Sequence, residues 1–328
     1  MGRGSTARGV VGAVLIALWI AVPQVSAAAE EIAGDWDLTM DFGGQPTLAT
    51  LSMAKKPDGS LAGKWGSSDL SNVKFDGQKL TFARVIRFGD QEFTMNFSGT
   101  VKDGKLTGNL SGEQGDTAVT GARRRPKPPV VGQWDLKYSI GGQDVTCKLV
   151  VSQRPDGTAE AQWTSDLAKS EVSNVKIVDG KLSLSRKTTF NDNAMESTFE
   201  ATAKDNALTG MIKGQAGEMA VTGRRIGAAL IGKWEITRTT EQGTRTNLLV
   251  IDPDLSGRYE SFGGEVPIKD LKIEGDQVTF KTEMRFQDQT FVTDYKAKLD
   301  GKTLKGQSTS ERGTNELAGK KLDPTPAP

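Results

Sequence analysis

The chain has 328 residues, too many for one all-β core of ordinary size and enough for two or three. Its 42 Lys and Arg residues and 41 Asp and Glu residues give a net charge of +1, with no basic half, which argues against nucleic acid or an anionic membrane as a partner. The chain has no histidine, which excludes Ser-His and Cys-His nucleophile pairs, histidine acid-base chemistry and histidine-bearing metal sites.

The first 27 residues have the features of a signal peptide. Arg3 and Arg8 form a positive N-terminal region, and residues 10–22 form an apolar stretch too short to span a bilayer comfortably. Val25-Ser26-Ala27 supplies the small residues that favour cleavage. We therefore expect export to the periplasm or the cell exterior, without membrane association after cleavage. An uncleaved membrane anchor is the alternative.

Three copies of one unit follow. A Gly-x-Trp motif ends at Trp36, Trp134 and Trp234. The first two copies stay 98 residues apart up to Trp65 and Trp163. A constant spacing over whole copies indicates a tandem repeat rather than a few chance matches.

Two small length changes explain the remaining spacings. From Ser71 and Ser173 onward the first two copies are 102 residues apart, which indicates a four-residue insertion within residues 164–172. The third copy is 96 residues after the second from Trp163 and Tyr259 onward. The predicted organisation is a signal peptide 1–27, repeat 32–124, a Pro-rich basic linker 125–130, repeat 131–225, a short linker 226–230, repeat 231–322 and a disordered Pro-rich tail 323–328.

Each copy has the period of β-strands. Apolar residues alternate with polar ones, as in Trp36, Leu38, Met40 and Phe42, and Gly- or Asp-containing turns separate the runs. In the first copy the predicted strands are 34–42, 47–55, 60–66, 70–76, 79–87, 92–101, 105–112 and 116–122. Their hairpin-length connections predict a meander, which loses its exposed edges by closing. The predicted fold is all-β, with three tandem antiparallel up-and-down (meander) β-barrel domains of about eight strands each.

The two ends of each copy resemble the calycin signature of lipocalin-type and streptavidin-type barrels. A Gly-x-Trp opens the first strand, and a Gly followed by a basic residue closes the last. The resemblance implies that the opening Trp packs under this basic residue at the closed end of the barrel. The pairs that it indicates are Trp36 with Arg123, Trp134 with Arg224, and Trp234 with Lys320. It also implies a small ligand in each barrel.

A second aromatic column gives the candidate ligand-binding residues. Trp65, Trp163 and Tyr259 lie in the third strand of each copy, where they can line a barrel mouth or simply fill the core. The third copy departs from the others at Ser308, which stands where Leu110 and Ile212 would face inward. That barrel is therefore either the least stable of the three or the one most modified for a task.

No metal, cofactor or catalytic residue is predicted. Cys147, the one cysteine, has no partner for an intramolecular disulfide and lies in an alternating stretch, which indicates a partly buried strand thiol. Acidic turns such as Asp252-Pro253-Asp254 need no ion, because calcium requires six or more converging oxygen atoms. No carboxylate recurs at an inward-facing position of the same strand in all three copies, so we expect a protein that is not an enzyme.

Two function classes remain open. One is an exported, non-catalytic binding protein whose lipocalin-like barrels hold a small apolar or amphipathic ligand. The other is a protein-interaction or structural module with barrels filled by side chains, for example one resembling a protease inhibitor. Such inhibitors are expected to carry a disulfide, which Cys147 alone cannot form. A barrel enzyme that works without histidine is a third, weaker alternative. Expected partners are thus a small molecule or a protein.

Overall fold

The structure is a computed structural model that describes residues 1–2, 32–42, 45–88, 91–113, 115–154, 156–191, 193–215, 217–240, 243–261, 264–286 and 289–323. The predicted signal peptide, apart from its first two residues, and the tail after Asp323 lie outside the described residues. Within the described ranges, no helix has the length and apolar character needed to cross a membrane.

The described residues form 24 β-strands, eight in each copy. In the first copy these are β1 Gly34–Phe42, β2 Gln45–Lys55, β3 Leu61–Trp65, β4 Ser68–Phe75, β5 Lys79–Phe88, β6 Gln91–Lys102, β7 Lys105–Gly112 and β8 Gly115–Arg123. In the second they are β9 Gly132–Ile140, β10 Gln143–Gln153, β11 Ala159–Thr164, β12 Lys169–Val178, β13 Lys181–Phe190, β14 Asn193–Lys204, β15 Ala207–Gly214 and β16 Gly217–Arg225. In the third they are β17 Gly232–Thr240, β18 Gly243–Ile251, β19 Gly257–Ser261, β20 Gly264–Glu274, β21 Gln277–Phe286, β22 Gln289–Asp300, β23 Thr303–Ser310 and β24 Gly313–Lys321.

The prediction of all-β meander barrels is confirmed. Strand β1 pairs with both β2 and β8, which closes the first barrel, and the pairing of β20 with β21 closes the third. The second barrel runs without a break from β12 through β16 and β9 to β11, but between β11 and β12 the described residues form no ladder. Every strand predicted for the first copy is present, with its ends within two residues of the predicted ones.

A recurring β-bulge explains the repeated Ser-Asn-Val-Lys sequence. The register of β4 against β5 shifts between Ser71 and Lys74, and Asn72 within this segment has a φ of 52°. The second copy has the same shift with Asn174 at 53°, and the third has it with Asp270 at 52°. Asn and Asp tolerate this left-handed conformation better than other side-chain-bearing residues. The motif is therefore a structural feature of each barrel.

Each barrel has its own hydrophobic core on the inward-facing positions of the strands. In the second barrel, for example, Trp134, Leu136 and Tyr138 are buried on alternate positions of β9, whereas the intervening Asp135 and Lys137 are exposed. The alternation follows from the strand period of two, because successive side chains point to opposite faces. Each barrel thus has an apolar core of its own, and Cys147 is a free thiol within the second.

The first and third barrels join into one continuous 16-stranded sheet, although the second copy lies between them in the chain. Leu48 of β2 and Glu265 of β20 form the bridge between the two barrels. Several polar contacts flank it, among them Lys233 Nζ to Asp35 Oδ1 at 2.5 Å, Arg258 Nη1 to Asp37 Oδ1 at 2.9 Å, and Ser67 N to Glu260 Oε2 at 2.9 Å. The sequence repeat alone does not indicate this docking.

Gly66 permits the close approach at one end of this interface. Glu260 Oε2 accepts hydrogen bonds from the backbone N–H groups of Ser67 in the first barrel and Leu248 in the third. A Cβ atom at Gly66 would lie 2.1 Å from Glu260 Oε1, and Gly66 has a φ of +60°. The second barrel has Thr164 at the equivalent position. Only the first copy therefore fits against Glu260 in this way.

The two linkers are shorter than predicted. Val130 and Leu230, the last residues of the predicted linkers, are fully buried in the cores of the second and third barrels. In the first linker, Lys127 Nζ lies 3.2 Å from Asp252 Oδ2 and 3.1 Å from Asp254 Oδ2. The acidic turn of the third barrel therefore pairs with a linker lysine.

We predict that Glu265→Gln raises the stability of the protein at pH 7 and has no such effect near pH 4. Burial raises the pKa of Glu265 above its usual value of 4.5, although Arg258 Nη1 lies 3.5 Å from Oε2 and opposes this. The folded state thus prefers the protonated acid, so the favourable contribution is present at low pH and is lost as the pH rises through the raised pKa. We expect a gain of about 1 kcal/mol at pH 7, the lower end of the cost of a buried acceptor without a hydrogen bond.

The measurement is urea unfolding of the full chain at both pH values. Glu283→Gln is the matched control, since Glu283 is a partly exposed acid whose pKa is lowered by its hydrogen bond from Lys269. Equal or lower stability of Glu265→Gln at pH 7 would show that the Arg258 pair outweighs the cost of burial.

Candidate functional site

The closed end of each barrel is built in the same way. The opening residues Trp36, Trp134 and Trp234 are fully buried. Each indole Nε1 donates a hydrogen bond to the carbonyl oxygen four residues earlier, at 3.0, 3.0 and 2.7 Å. The residues that supply these carbonyls, Ile32, Val130 and Leu230, are themselves buried. This end of the barrel is therefore plugged by side chains and has a structural role.

The cation at this closed end lies one residue later than predicted in two copies. Arg225 Cζ lies 4.1 Å from the centre of the Trp134 ring, and Lys321 Nζ lies 5.6 Å from that of Trp234. The predicted residues, Arg224 and Lys320, are exposed, because one step along a strand reverses the direction of the side chain.

In the first copy, the predicted Arg123 occupies the inward position. It lies opposite Trp36 in the β1–β8 ladder and donates a hydrogen bond to the Ala33 carbonyl. The spacings of 102 and 96 residues that align the rest of the copies lead from Arg123 to Arg225 and Lys321, and this was the signal for the correct residues.

The second aromatic column is buried in the middle of each barrel. Trp65, Trp163 and Tyr259 are 2, 4 and 3% exposed. Their rings pack edge-on or tilted against other core rings, for example Trp163 against Phe199 with centroids 5.1 Å apart. The three predicted ligand-binding residues therefore belong to the packed core of each barrel rather than to an exposed wall.

An inward-facing arginine packs over the buried Trp of this column in the first two barrels. Arg84 Cζ lies 5.0 Å from the centre of the Trp65 ring, and Arg186 Cζ lies 4.4 Å from that of Trp163 and 6.0 Å from that of Tyr138. No sequence motif points to these residues, although Arg186 continues the inward positions of Leu182 and Leu184. An arginine at one of the inward, otherwise apolar positions of β13 was the sequence signal for this residue.

The Arg186 charge is buried without a counter-ion in the described part of the chain. Its residue is 7% exposed, and its Nε donates to Ser197 Oγ at 3.4 Å. Among the described residues, no carboxylate lies within 4.0 Å of its guanidinium, whereas Arg124 and Arg258 both pair with Asp37. Arg186 therefore retains capacity for an anion.

Apolar side chains are exposed at the end of the second barrel opposite Trp134, which we call its mouth. We define the second-barrel rim as Ile140, Leu167, Phe190 and Met195, which are 49, 60, 48 and 49% exposed. They adjoin hairpin turns at the end of the barrel opposite Trp134. Leu167 belongs to the segment lengthened by the four-residue insertion, between β11 and β12. The rim thus includes a residue from the connection between β11 and β12, the two neighbouring strands that form no ladder.

Cys147 lies inside the second barrel, below this rim. It is 6% exposed, and burial raises the pKa of its thiol to about 12. The thiolate is the reactive form, so Cys147 is an inert core residue at neutral pH. This agrees with the interpretation of its alternating sequence.

The acidic turns are held by their own hydrogen bonds. Asp58 Oδ1 accepts from the Ser60 N–H at 2.9 Å, Asp156 Oδ1 from the Thr158 N–H at 2.9 Å, and Asp254 Oδ1 from the Ser256 N–H at 3.2 Å. In the residues that the structure covers, no group of three or more Asp, Glu or Cys side chains is arranged to hold a metal ion.

Two grooves on the outer wall of the second barrel lack the character of a ligand pocket. Their volumes are about 420 and 290 Å³, and both are lined by Lys181 and Glu200. These two side chains form an ion pair, with Lys181 Nζ 2.6 Å from Glu200 Oε2. Ligand pockets are mostly apolar with a few polar groups, so the mouth with Arg186 is the better candidate.

No protein family and no curated protein sequence matches the chain. Among solved structures, a putative outer membrane protein from Bacteroides fragilis is 15% identical, over 60% of this chain and 98% of that chain, with a TM-score of 0.23. Transferrin binding protein B from Neisseria meningitidis is 11% identical, over 89 and 77%, with a TM-score of 0.20. A Nostoc punctiforme protein of unknown function is 11% identical, over 90 and 99%, with a TM-score of 0.15. The barrels described above rest on the strand pairing of this chain and not on these low similarities.

We predict that Arg225→Ala destabilises the second barrel by about 2 kcal/mol, whereas Arg224→Ala changes its stability by less than about 0.5 kcal/mol. Arg225 donates hydrogen bonds to the Val131 and Pro129 carbonyls, at 2.8 and 2.6 Å, in addition to covering Trp134. Urea unfolding of the two variants, side by side, measures the difference. Equal losses in both would contradict the assignment of Arg225 to the closed end.

Proposed function

We propose that the chain is an exported, non-catalytic binding protein with barrels of calycin type, and that its second barrel binds an amphipathic anion. The anionic group of the ligand lies against the Arg186 guanidinium, and its apolar part lies along the second-barrel rim. The observation that carries this proposal is a buried arginine, without a carboxylate partner in the described residues, under an exposed apolar rim.

The buried charge supports an anionic head group. A charge taken out of water is costly unless a counter-ion or hydrogen bonds compensate it. The rings of Trp163 and Tyr138 supply part of this compensation, since a cation–π contact contributes about 0.5–2 kcal/mol. A carboxylate on the guanidinium would supply the rest through charge-assisted hydrogen bonds.

The rim supports an apolar tail. Single exposed apolar residues are common on protein surfaces, but a group of them at one site marks a place of interaction. Among the residues after Met1 whose side-chain exposure the structure describes, seven large hydrophobic ones are more than a third exposed, and four of them form this rim. Arg186 and the rim therefore combine one charged group with an apolar surface, as an amphipathic ligand requires.

The sequence supports export and the absence of catalysis. The N-terminal segment has the pattern of a signal peptide, and a chain without histidine lacks the commonest acid-base catalyst. A binding protein that acts outside the cytoplasm is consistent with both features.

We predict that the full chain binds dodecanoate and that Arg186→Met weakens this binding at least about tenfold, because the carboxylate loses its charged partner. Binding of dodecanol, which has the same tail without the charge, should be weaker in the wild type and unaffected by the substitution. Isothermal titration calorimetry measures all four affinities.

Lys187→Met is the matched control, since Lys187 is the adjacent cation on the outer face of the same strand. It should leave dodecanoate affinity unchanged. The proposal fails if wild-type protein does not bind dodecanoate, or if Arg186→Met binds it as tightly as the wild type while remaining folded.

A protein partner on the same rim is the second candidate function, because exposed apolar residues at the rim also suit a protein interface. This candidate predicts that the double variant Phe190→Ser and Met195→Ser loses a partner while dodecanoate has no effect on that interaction. Competition between dodecanoate and the partner would instead assign both to one site.

A further inference from the structure

The third barrel has a polar interior that the other two lack. Six of its side-chain atoms are buried without a hydrogen-bond partner. Two belong to Glu265, at the contact with the first barrel, and the other four lie in the interior: Arg238 Nε, Asn247 Oδ1, Tyr259 Oη and Ser308 Oγ. Within the described interiors of the first and second barrels, a single atom of this kind occurs in each. Native proteins leave few buried polar groups unpaired, since each costs about 1–3 kcal/mol. A group of four in one barrel therefore requires an explanation.

These residues replace mainly apolar residues at equivalent positions. The strand registers align Arg238 with Met40 and Tyr138, Asn247 with Ala49 and Cys147, Tyr259 with Trp65 and Trp163, and Ser308 with Leu110 and Ile212. The change toward polarity thus affects four positions of one interior. Ser308 is the one of these four positions at which the sequence repeat already indicated that the third copy differs from the others.

The polar groups lie close to one another. Tyr259 and Tyr295 have ring centroids 5.0 Å apart, and Ser308 is the partner of Tyr295 in the β22–β23 ladder. Tyr259 and Ser308 are 3 and 1% exposed, and the charge of Arg238 lies within electrostatic reach of the Tyr259 hydroxyl. The groups therefore face a common volume inside the barrel.

Two replacements shorten the side chain at the same level of the barrel. Ser308 is smaller than the Leu110 and Ile212 of the other copies, and Thr282 stands at the register position of Arg84 and Arg186. Thr282 and Ser308 are both buried. Shorter polar side chains reduce the side-chain volume at this level and supply groups that can bind a small molecule.

We infer that the third barrel binds a small carboxylate that also carries a hydroxyl group. The N–H of Arg238 and the hydroxyls of Tyr259 and Ser308 supply three donors, which match the acceptor oxygens of a carboxylate. Asn247 supplies an acceptor for the ligand hydroxyl, because its Nδ2 already donates to the Glu260 carbonyl at 3.1 Å and this fixes the amide. This ligand differs in kind from the amphipathic anion proposed for the second barrel.

The test uses glycolate as the probe, with acetate, ethylene glycol and sodium chloride as controls for the carboxylate, the hydroxyl and the ionic strength. Saturation-transfer NMR on the full chain measures binding. We expect glycolate to bind more tightly than acetate, ethylene glycol to give no transfer, and equimolar sodium chloride to leave the transfer to glycolate unchanged. Ser308→Ala and Tyr259→Phe should each weaken glycolate binding by about tenfold, the usual result of removing one good hydrogen bond to a charged group.

Thr309→Val is the matched control, because Thr309 is the exposed neighbour of Ser308 and its hydroxyl faces that of Thr314 at 3.1 Å. It removes a hydroxyl from the same strand and should leave glycolate affinity unchanged. The inference is overturned if wild-type protein does not bind glycolate, or if Ser308→Ala and Thr309→Val bind it equally while both remain folded.

Discussion

The buried Trp at the start of each barrel is the contact on which the rest of the structure depends. The indole Nε1 donates a hydrogen bond to the backbone carbonyl four residues earlier in Trp36, Trp134 and Trp234. The residue that supplies this carbonyl is apolar and is buried at the same end of the barrel. A large ring buried with its one polar group satisfied contributes both apolar burial and a fixed geometry. One end of every barrel is thereby filled, and the opposite end is free to vary.

The three barrels have diverged in chemistry on this common scaffold. The first barrel docks on the third through Gly66 and Glu260, the second has an apolar rim over Arg186, and the third has a polar interior around Ser308. A tandem repeat can keep one core and change a few inward positions in each copy, because alternation confines each change to one face of a strand. The triplication therefore fits a protein with several distinct sites better than one with three equal sites.

Much of the fold could be predicted from the sequence, because period-two alternation and Gly- and Asp-containing turns are local signals. The sites were harder to predict. The alternation of β13 and the alignment of Ser308 with Leu110 and Ile212 indicate which way Arg186 and Ser308 face, but not the groups that surround them. Those surroundings follow from tertiary packing. The motif of a Gly followed by a basic residue indicates Arg224, whereas the spacing of 102 residues from Arg123 leads to Arg225. The contact between the first and third barrels depends on tertiary geometry between distant copies, for which the sequence pattern carries no signal.

The central claim is that the barrels share a scaffold but bind different molecules. Native mass spectrometry of the full chain with dodecanoate and glycolate present together tests it most directly, since the mass identifies each bound molecule and its number. The account predicts a complex with one dodecanoate and one glycolate per chain. Three copies of either molecule would show that the barrels are equivalent, and a chain of bare mass under conditions that preserve the fold would contradict a binding role for the barrel interiors.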